Sequence, residues 1–197
     1  MNPAQLPMLV LVEGASDRVA VETLTERRGL DLAAAHVRVV ELGGATGIAR
    51  ALDTAGHGQL LAGLVDAGEE RFFQHALEDF GLGENLGRAE LESLGFFVCV
   101  ADLEDELIRA LGSDAVIGVI EEQGNLRQFV TFQRQPAQRD RTVEHQLHRF
   151  LGTTAGRKEQ YARALVERLD RVPRPLDLLV DYVATSAVRR WPRPPGR

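Results

Sequence analysis

Acidic residues follow three apolar runs of this 197-residue chain. Met8–Val12 leads into Glu13-Gly14-Ala15-Ser16-Asp17, and Leu60–Val65 leads into Asp66-Ala67-Gly68-Glu69-Glu70. Phe96–Val100 leads into Ala101-Asp102-Leu103-Glu104-Asp105-Glu106. Carboxylates gathered in one place repel each other unless a hard cation neutralises them, and an all-oxygen donor set suits Mg²⁺ or Mn²⁺ better than zinc. If the three segments meet, they make a divalent-metal site suited to phosphate chemistry. Each acid also has a purely structural use. Asp17 and Asp102 stand where a helix cap would be. Glu69 and Glu70 suit the first turn of a helix, whose dipole favours negative charge. Asp66 is the hardest to explain structurally, because aspartate is depleted in strands and costly to bury unpaired. Glu104, Asp105 and Glu106 are consecutive and cannot share one helix face, so at most two of them point into a site.

Whether these acids meet depends on the elements that carry them. Residues 8–12, 37–42, 60–65 and 96–100 are nearly continuous in apolar residues, as expected for parallel strands covered on both faces. Helical patterns lie between them, over residues 17–28 (closed by Gly29), 48–52, 69–80 and 103–111. This alternation predicts an α/β fold, a Rossmann-like, mostly parallel four-stranded sheet flanked by helices. The strand carboxyl ends then share the edge where ligands of such sheets bind. Further on, residues 114–123, 143–151, 157–169 and 175–188 read as helices, with 129–138 extended or irregular. The predicted division is a core over 1–112, a C-terminal helical extension over 113–190 packed on that core, and a flexible tail over 191–197.

Composition narrows the function classes. The net charge of −6 argues against coating nucleic acid by bulk charge. That total is uneven, because residues 1–138 carry a net −12 and residues 139–197 a net +6. Lys158 is the only lysine. The single cysteine, Cys99, can form no internal disulfide or paired-cysteine metal knuckle, and its apolar surroundings suggest a small buried hydrophobe. No apolar stretch has membrane-spanning length and no signal peptide is evident, so the expected location is the cytoplasm. Arg139, Arg141, Arg149, Arg157, Arg163 and Arg168 make either a basic strip for a phosphate backbone or a solvated helical face. Gly43-Gly44-Ala45-Thr46-Gly47 is either a tight turn or a loop offering the Gly44 backbone to a phosphate. His145 and His148 have helical spacing but no third ligand nearby, and read as a solvated edge. Aromatic residues make up only 6%, which does not indicate base stacking.

Taken in order, these segments resemble a TOPRIM domain, the metal-binding module of topoisomerases, bacterial primases and OLD-family (overcoming lysogenisation defect) nucleases. Val12-Glu13-Gly14-Ala15-Ser16-Asp17 resembles its opening strand and Glu-Gly-x-x-Asp motif. Leu64-Val65-Asp66 resembles its second acidic strand end, and Asp102–Leu107 the third acidic motif of OLD-family members. Gly156-Arg157-Lys158-Glu159-Gln160-Tyr161-Ala162 is similar to their C-terminal basic helix, so the resemblance runs from about Met8 to Leu179. It implies a stand-alone nuclease domain acting on nucleic acid, DNA first, with two Mg²⁺ or Mn²⁺ ions. Glu13 would bind metal and act in acid/base steps, while Asp17, Asp66, Asp102 and Glu104 would complete the metal shells. Lys158 would face the scissile phosphate, with Arg157, Arg163 and the Gly44 backbone contacting the nucleic acid. The usual second motif is Asp-x-Asp, but here Gly68 replaces the second acid, leaving Glu69 as the candidate substitute. OLD-family proteins carry an ATPase, whereas this sequence has no phosphate-binding G-x-x-x-x-G-K-[ST] loop. A separate ATPase partner or a homo-oligomer is therefore expected. The alternative is a catalytically silent metal- or nucleic-acid-binding module that acts with such an ATPase. A small-molecule phosphohydrolase on the same fold is a further alternative.

Overall fold

Four parallel strands lie at the centre of the chain in the order β2-β1-β3-β4, where β1 is Met8–Val12, β2 Val37–Glu41, β3 Leu61–Val65 and β4 Phe96–Val98. The structure is a computed structural model that describes residues 7–44, 46–152 and 157–190. Val10 lies opposite Val39 on one side and Ala62 on the other, and Leu64 lies opposite Phe97. Side chains alternate across the sheet. Met8, Val10, Val12, Ala62, Leu64 and Phe97 face one apolar cluster, and Leu11, Leu61, Val65 and Phe96 face the other. Both faces are covered, which is why the strands are continuous apolar runs and not alternating ones.

Ten helices flank the sheet among the described residues. α1 (Ala15–Arg27) lies on the first face. α2 (Gly47–Ala55), α3 (Glu70–Asp79) and α4 (Arg88–Ser93) lie on the second. α5 (Leu103–Leu111) follows β4 and returns to the first face, where α6 (Ser113–Glu122), α7 (Leu126–Gln133), α8 (Val143–Gly152), α9 (Arg157–Arg168) and α10 (Arg174–Arg190) share its apolar cluster. Gly29, with φ of +70°, closes α1 as expected, its amide donating to the Glu26 carbonyl. Two elements depart from the sequence expectation. Residues 126–133 are helical, not irregular, and α4 has no counterpart among the predicted helices. The six residues of α4 bury only Leu91, too little to leave a helical periodicity, whereas α7 has Leu126, Phe129 and Val130 at helical spacing and overlaps the segment expected to be irregular over 129–133. The expected tail over 191–197, and Ala45 and Gly156 of the motifs, lie outside the described residues. No described helix is long and apolar enough to cross a membrane.

β3 is the crowded strand. A Cβ at Gly63 would come within 2.8 Å of both the Leu11 carbonyl oxygen and the Phe96 ring. Backbone cannot yield there, so Gly63→Ala is expected to destabilise the fold by about 1–3 kcal/mol, as overpacking does. Urea denaturation of the variant measures it.

α9 is set against α1 by apolar packing and by one side chain. Tyr161, Ala162, Leu165 and Val166 are buried beneath α9. Arg27, in the last turn of α1, donates to the Val166 carbonyl and, at 3.0 Å, to the Leu169 carbonyl at the end of α9. The two C-terminal ends are tied together and the two N-terminal ends line one cleft, so the helices run parallel. Asp17 and Lys158 sit at those N-terminal ends.

Candidate functional site

The strand order brings two acids to the topological switch point. The chain leaves β1 for β2 on one side, then returns to β3 on the other, and the crevice between β1 and β3 is where sheets of this kind bind ligands. Glu13 follows β1 directly and Asp66 follows β3 directly. A cleft of about 510 Å³ opens there, lined by Glu13, Asp17, Asp66, Asp102, Glu104 and Lys158, with Gly14, Gly43, Gly44 and Glu159 on its walls. A Cβ at Gly14 would meet nothing within 4 Å, and its φ of −151° is open to any residue. The fold therefore does not need glycine at this position, and its absent side chain leaves the cleft open beside Glu13.

The carboxylates are held in different ways. Asp17 is only 7% exposed, and its Oδ2 accepts the Gly14 amide at 2.9 Å, so it also braces the start of α1. Burial pushes its carboxyl up to about 7 against the pull of that hydrogen bond, and the charges of Glu104 and Glu13 push the same way. Asp66 is raised too, first by burial, then by its hydrogen bond to Glu13 and the charges of Asp17, Glu13 and Asp102. Burial would also raise Asp102, but His148, the Asp105 amide and Lys158 outweigh it and hold this carboxyl below the ordinary range. Its Oδ1 caps α5 by accepting the Asp105 amide at 2.8 Å, and its Oδ2 lies 2.6 Å from His148 Nε2. The structural and chemical uses expected for Asp17 and Asp102 thus coexist in the same side chains. Glu104 Oε1 is buried without a hydrogen bond, 3.4 Å from Lys158 Nζ. That carboxylate, and then Asp17 and Asp102, raise the lysine, which stays a cation.

Several expected site residues stand elsewhere. Glu69 precedes α3 and does not line the cleft; its amide donates to the Asp66 carbonyl. Glu70 pairs with Arg88. Asp105 and Glu106 both pair with Arg109, so Glu104 is the one member of its acidic run in the cleft. Arg163 lies 3.7 Å from Glu26 and 3.8 Å from Glu167, away from the cleft, and Arg157 lines a neighbouring one. The reading of His148 as a solvated edge is overturned by its contact with Asp102, and Asp102 is what raises its pKa. Glu159 is a site neighbour that the sequence does not reveal, since nothing local distinguishes it from any acid in a first helical turn. Cys99 is fully buried, and burial pushes its thiol far up, as a small core residue requires.

The donor set fits a hard divalent cation. Six acidic residues, five of them from the three strand ends, line the cleft with one ammonium, and Asp17 and Asp66 are pushed toward protonation by burial and by neighbouring charge. A cation would remove both penalties. Among the described residues, no group of three His, Cys, Asp or Glu side chains is placed to hold a metal ion as it stands. The carboxylates converge on the cleft without closing around a point.

Comparison with known proteins agrees with this geometry. Residues 8–58, which carry Glu13 and Asp17, match the family described as overcoming lysogenization defect protein-like, TOPRIM domain. No curated protein matches the chain. Among solved structures, the C-terminal region of the Xanthomonas campestris pv. campestris OLD protein matches with a TM-score of 0.71 at 21% identity, covering 93% of this chain and 95% of the other. The corresponding region of the Burkholderia pseudomallei OLD protein matches with a TM-score of 0.67 at 18% identity, covering 91% and 97%. Over residues 8–58 the chain resembles the TOPRIM domain of the OLD-like family, and it shares the fold of the C-terminal regions of the OLD proteins.

Proposed function

We propose that this protein is a divalent-metal-dependent nuclease that hydrolyses phosphodiester bonds in nucleic acid, with DNA as the first substrate to test. The observation that carries this reading is the convergence of five carboxylates from three strand ends on the cleft that also receives the chain's only lysine. Glu13, Asp17, Asp66, Asp102 and Glu104 would hold Mg²⁺ or Mn²⁺, in a pair of ions. When bound, such ions supply charge neutralisation and acidify a coordinated water. Glu13, at the switch point and lining the cleft with Asp66, would be the residue that moves a proton. Lys158 stabilises negative charge at the phosphate as a compact cation. His148 orients Asp102, and the Gly44 backbone borders the path of a phosphate. In this reading residues 1–112 are the catalytic core, and the extension over 113–190 brings Lys158 to it along α1.

A second reading is favoured by one specific observation. Gly68 removes the second acid of the motif, and Glu69 does not line the cleft in its place. A module with fewer metal ligands could bind one ion and act with a separate ATPase or a second copy without cutting. A plasmid-nicking assay decides between the two readings. Conversion of supercoiled DNA with Mn²⁺, absent in EDTA, is the expected result. Thermal stabilisation by Mn²⁺ without any nicking supports the silent module instead.

A further inference from the structure

A second cleft, of about 630 Å³, opens beside the acidic one, between α7, α8 and the start of α9. Arg127, Gln128 and Gln135 line it from α7 and its C-terminal end, Arg157 lines it from α9, and Phe132 and Phe150 form its apolar wall. Arg157 directly precedes Lys158, so the first turn of α9 sends one cation to the acidic cleft and the other to this one. Among the described residues, neither Arg127 nor Arg157 has an acidic partner. In the arginine-lined cleft along β4, by contrast, three of the four arginines, Arg88, Arg109 and Arg174, are held by a glutamate or aspartate, and only Arg171 is not. Phe132 is half-buried against Phe150, with ring centroids 5.6 Å apart, and contributes to the cleft surface. The side-chain amides of Gln128 and Gln135 are exposed and offer both donors and acceptors.

We propose that this cleft takes one nucleotide of the substrate strand next to the bond being cut, with the base unstacked from its neighbours. Arg157 and Arg127 meet the flanking phosphates, the base lies on Phe132, and the glutamine amides reach the base edge. The volume suits a nucleotide, within the range of ordinary ligand pockets. A base still paired and stacked in a duplex cannot reach an aromatic wall, so the cleft selects single-stranded or frayed nucleic acid over closed duplex. The aromatic content of the chain is low, but the fold puts one of its few phenylalanines beside two unpaired guanidinium groups.

This inference rests on the nuclease reading for the identity of the ligand, but binding tests it without cleavage. A fluorescently labelled DNA strand, alone and annealed to its complement, is titrated with the full chain in EDTA and followed by anisotropy. The wild type is expected to bind the single strand at least about fivefold more tightly than the duplex. Arg127→Ala, an exposed position, should weaken single-strand binding about tenfold and flatten its salt dependence by about one phosphate contact. Phe132→Leu, which keeps an apolar side chain but removes the ring, should lower single-strand affinity about tenfold while leaving duplex affinity unchanged. Equal binding of both forms by the wild type overturns the proposal, as do variants that match it, and nicking activity would survive either result. No binding to either form also overturns it and points to a protein occupant. Strand preference that is lost in the variants, in a protein that never nicks DNA, upholds the cleft and rejects the nuclease.

Discussion

Replacing Lys158 with alanine is expected to lower Mn²⁺-dependent nicking by about 10²- to 10³-fold while leaving the fold intact, the range seen when one stabilising group is removed from a developing charge. The expectation follows from geometry. Lys158 is the only lysine in the chain, and its Nζ reaches into the acidic cleft at 3.4 Å from Glu104 Oε1. The four-carbon stem puts a single compact charge there, whereas the guanidinium used at every other basic position is broad and forked. Lys158→Arg should therefore recover only part of the rate. Because Lys158 is about half exposed, its loss should cost little stability, so a melting curve separates catalysis from folding. Glu13→Ala, at the centre of the carboxylates, should abolish nicking altogether. Wild-type rates in the Lys158→Ala variant would remove the lysine from the site.

The second large effect runs the other way. Asp17→Asn is expected to stabilise the metal-free protein by about 2 kcal/mol above neutral pH, or roughly 4–8 °C in Tm for a chain of this size. Asp17 is nearly buried among like charges, while asparagine keeps the oxygen that accepts the Gly14 amide. The carboxyl titrates near 7 in the folded chain against an ordinary value of 3.8, so the folded state binds its proton more tightly than the unfolded one. The contribution of Asp17 to wild-type stability in EDTA is then largest below pH 4, falls as the pH rises toward 7, and is constant above it. The variant should lack that part of the decline. Added Mn²⁺ should raise the Tm of the wild type and do far less for Asp17→Asn, because the variant has lost a ligand. Calorimetry across pH, with and without metal, checks both halves. A variant less stable than the wild type in EDTA at pH 8 would mean that Asp17 is already compensated by its neighbours. Such a trade of stability for a charged site is common where function needs buried carboxylates.

Much of this site is legible in the order of the amino acids. Strands buried on both faces must be apolar throughout, so the four runs stand out, and three of them end in an acid. Parallel connection then forces those ends to one edge. The short helix α4 escapes such reading, because its six residues bury one side chain and leave no pattern to detect. Glu69 illustrates the opposite failure. It is one residue beyond the position of the missing acid, but it stands at the start of α3, and the turn after Asp66 carries it out of the cleft.

The sequence by itself determined the α/β order, the strand ends that supply Glu13, Asp66 and Asp102, and the singular Lys158. Only the tertiary structure decided that Lys158 reaches those acids, since that depends on α1 and α9 running parallel with Arg27 tying their C-terminal ends. It also decided that His148 belongs with Asp102, 46 residues away, and that Arg127, Arg157 and Phe132 share a cleft. Local pattern records how much of a side chain is buried. It carries no record of which distant side chain it meets, because that is set by how the helices pack on the sheet.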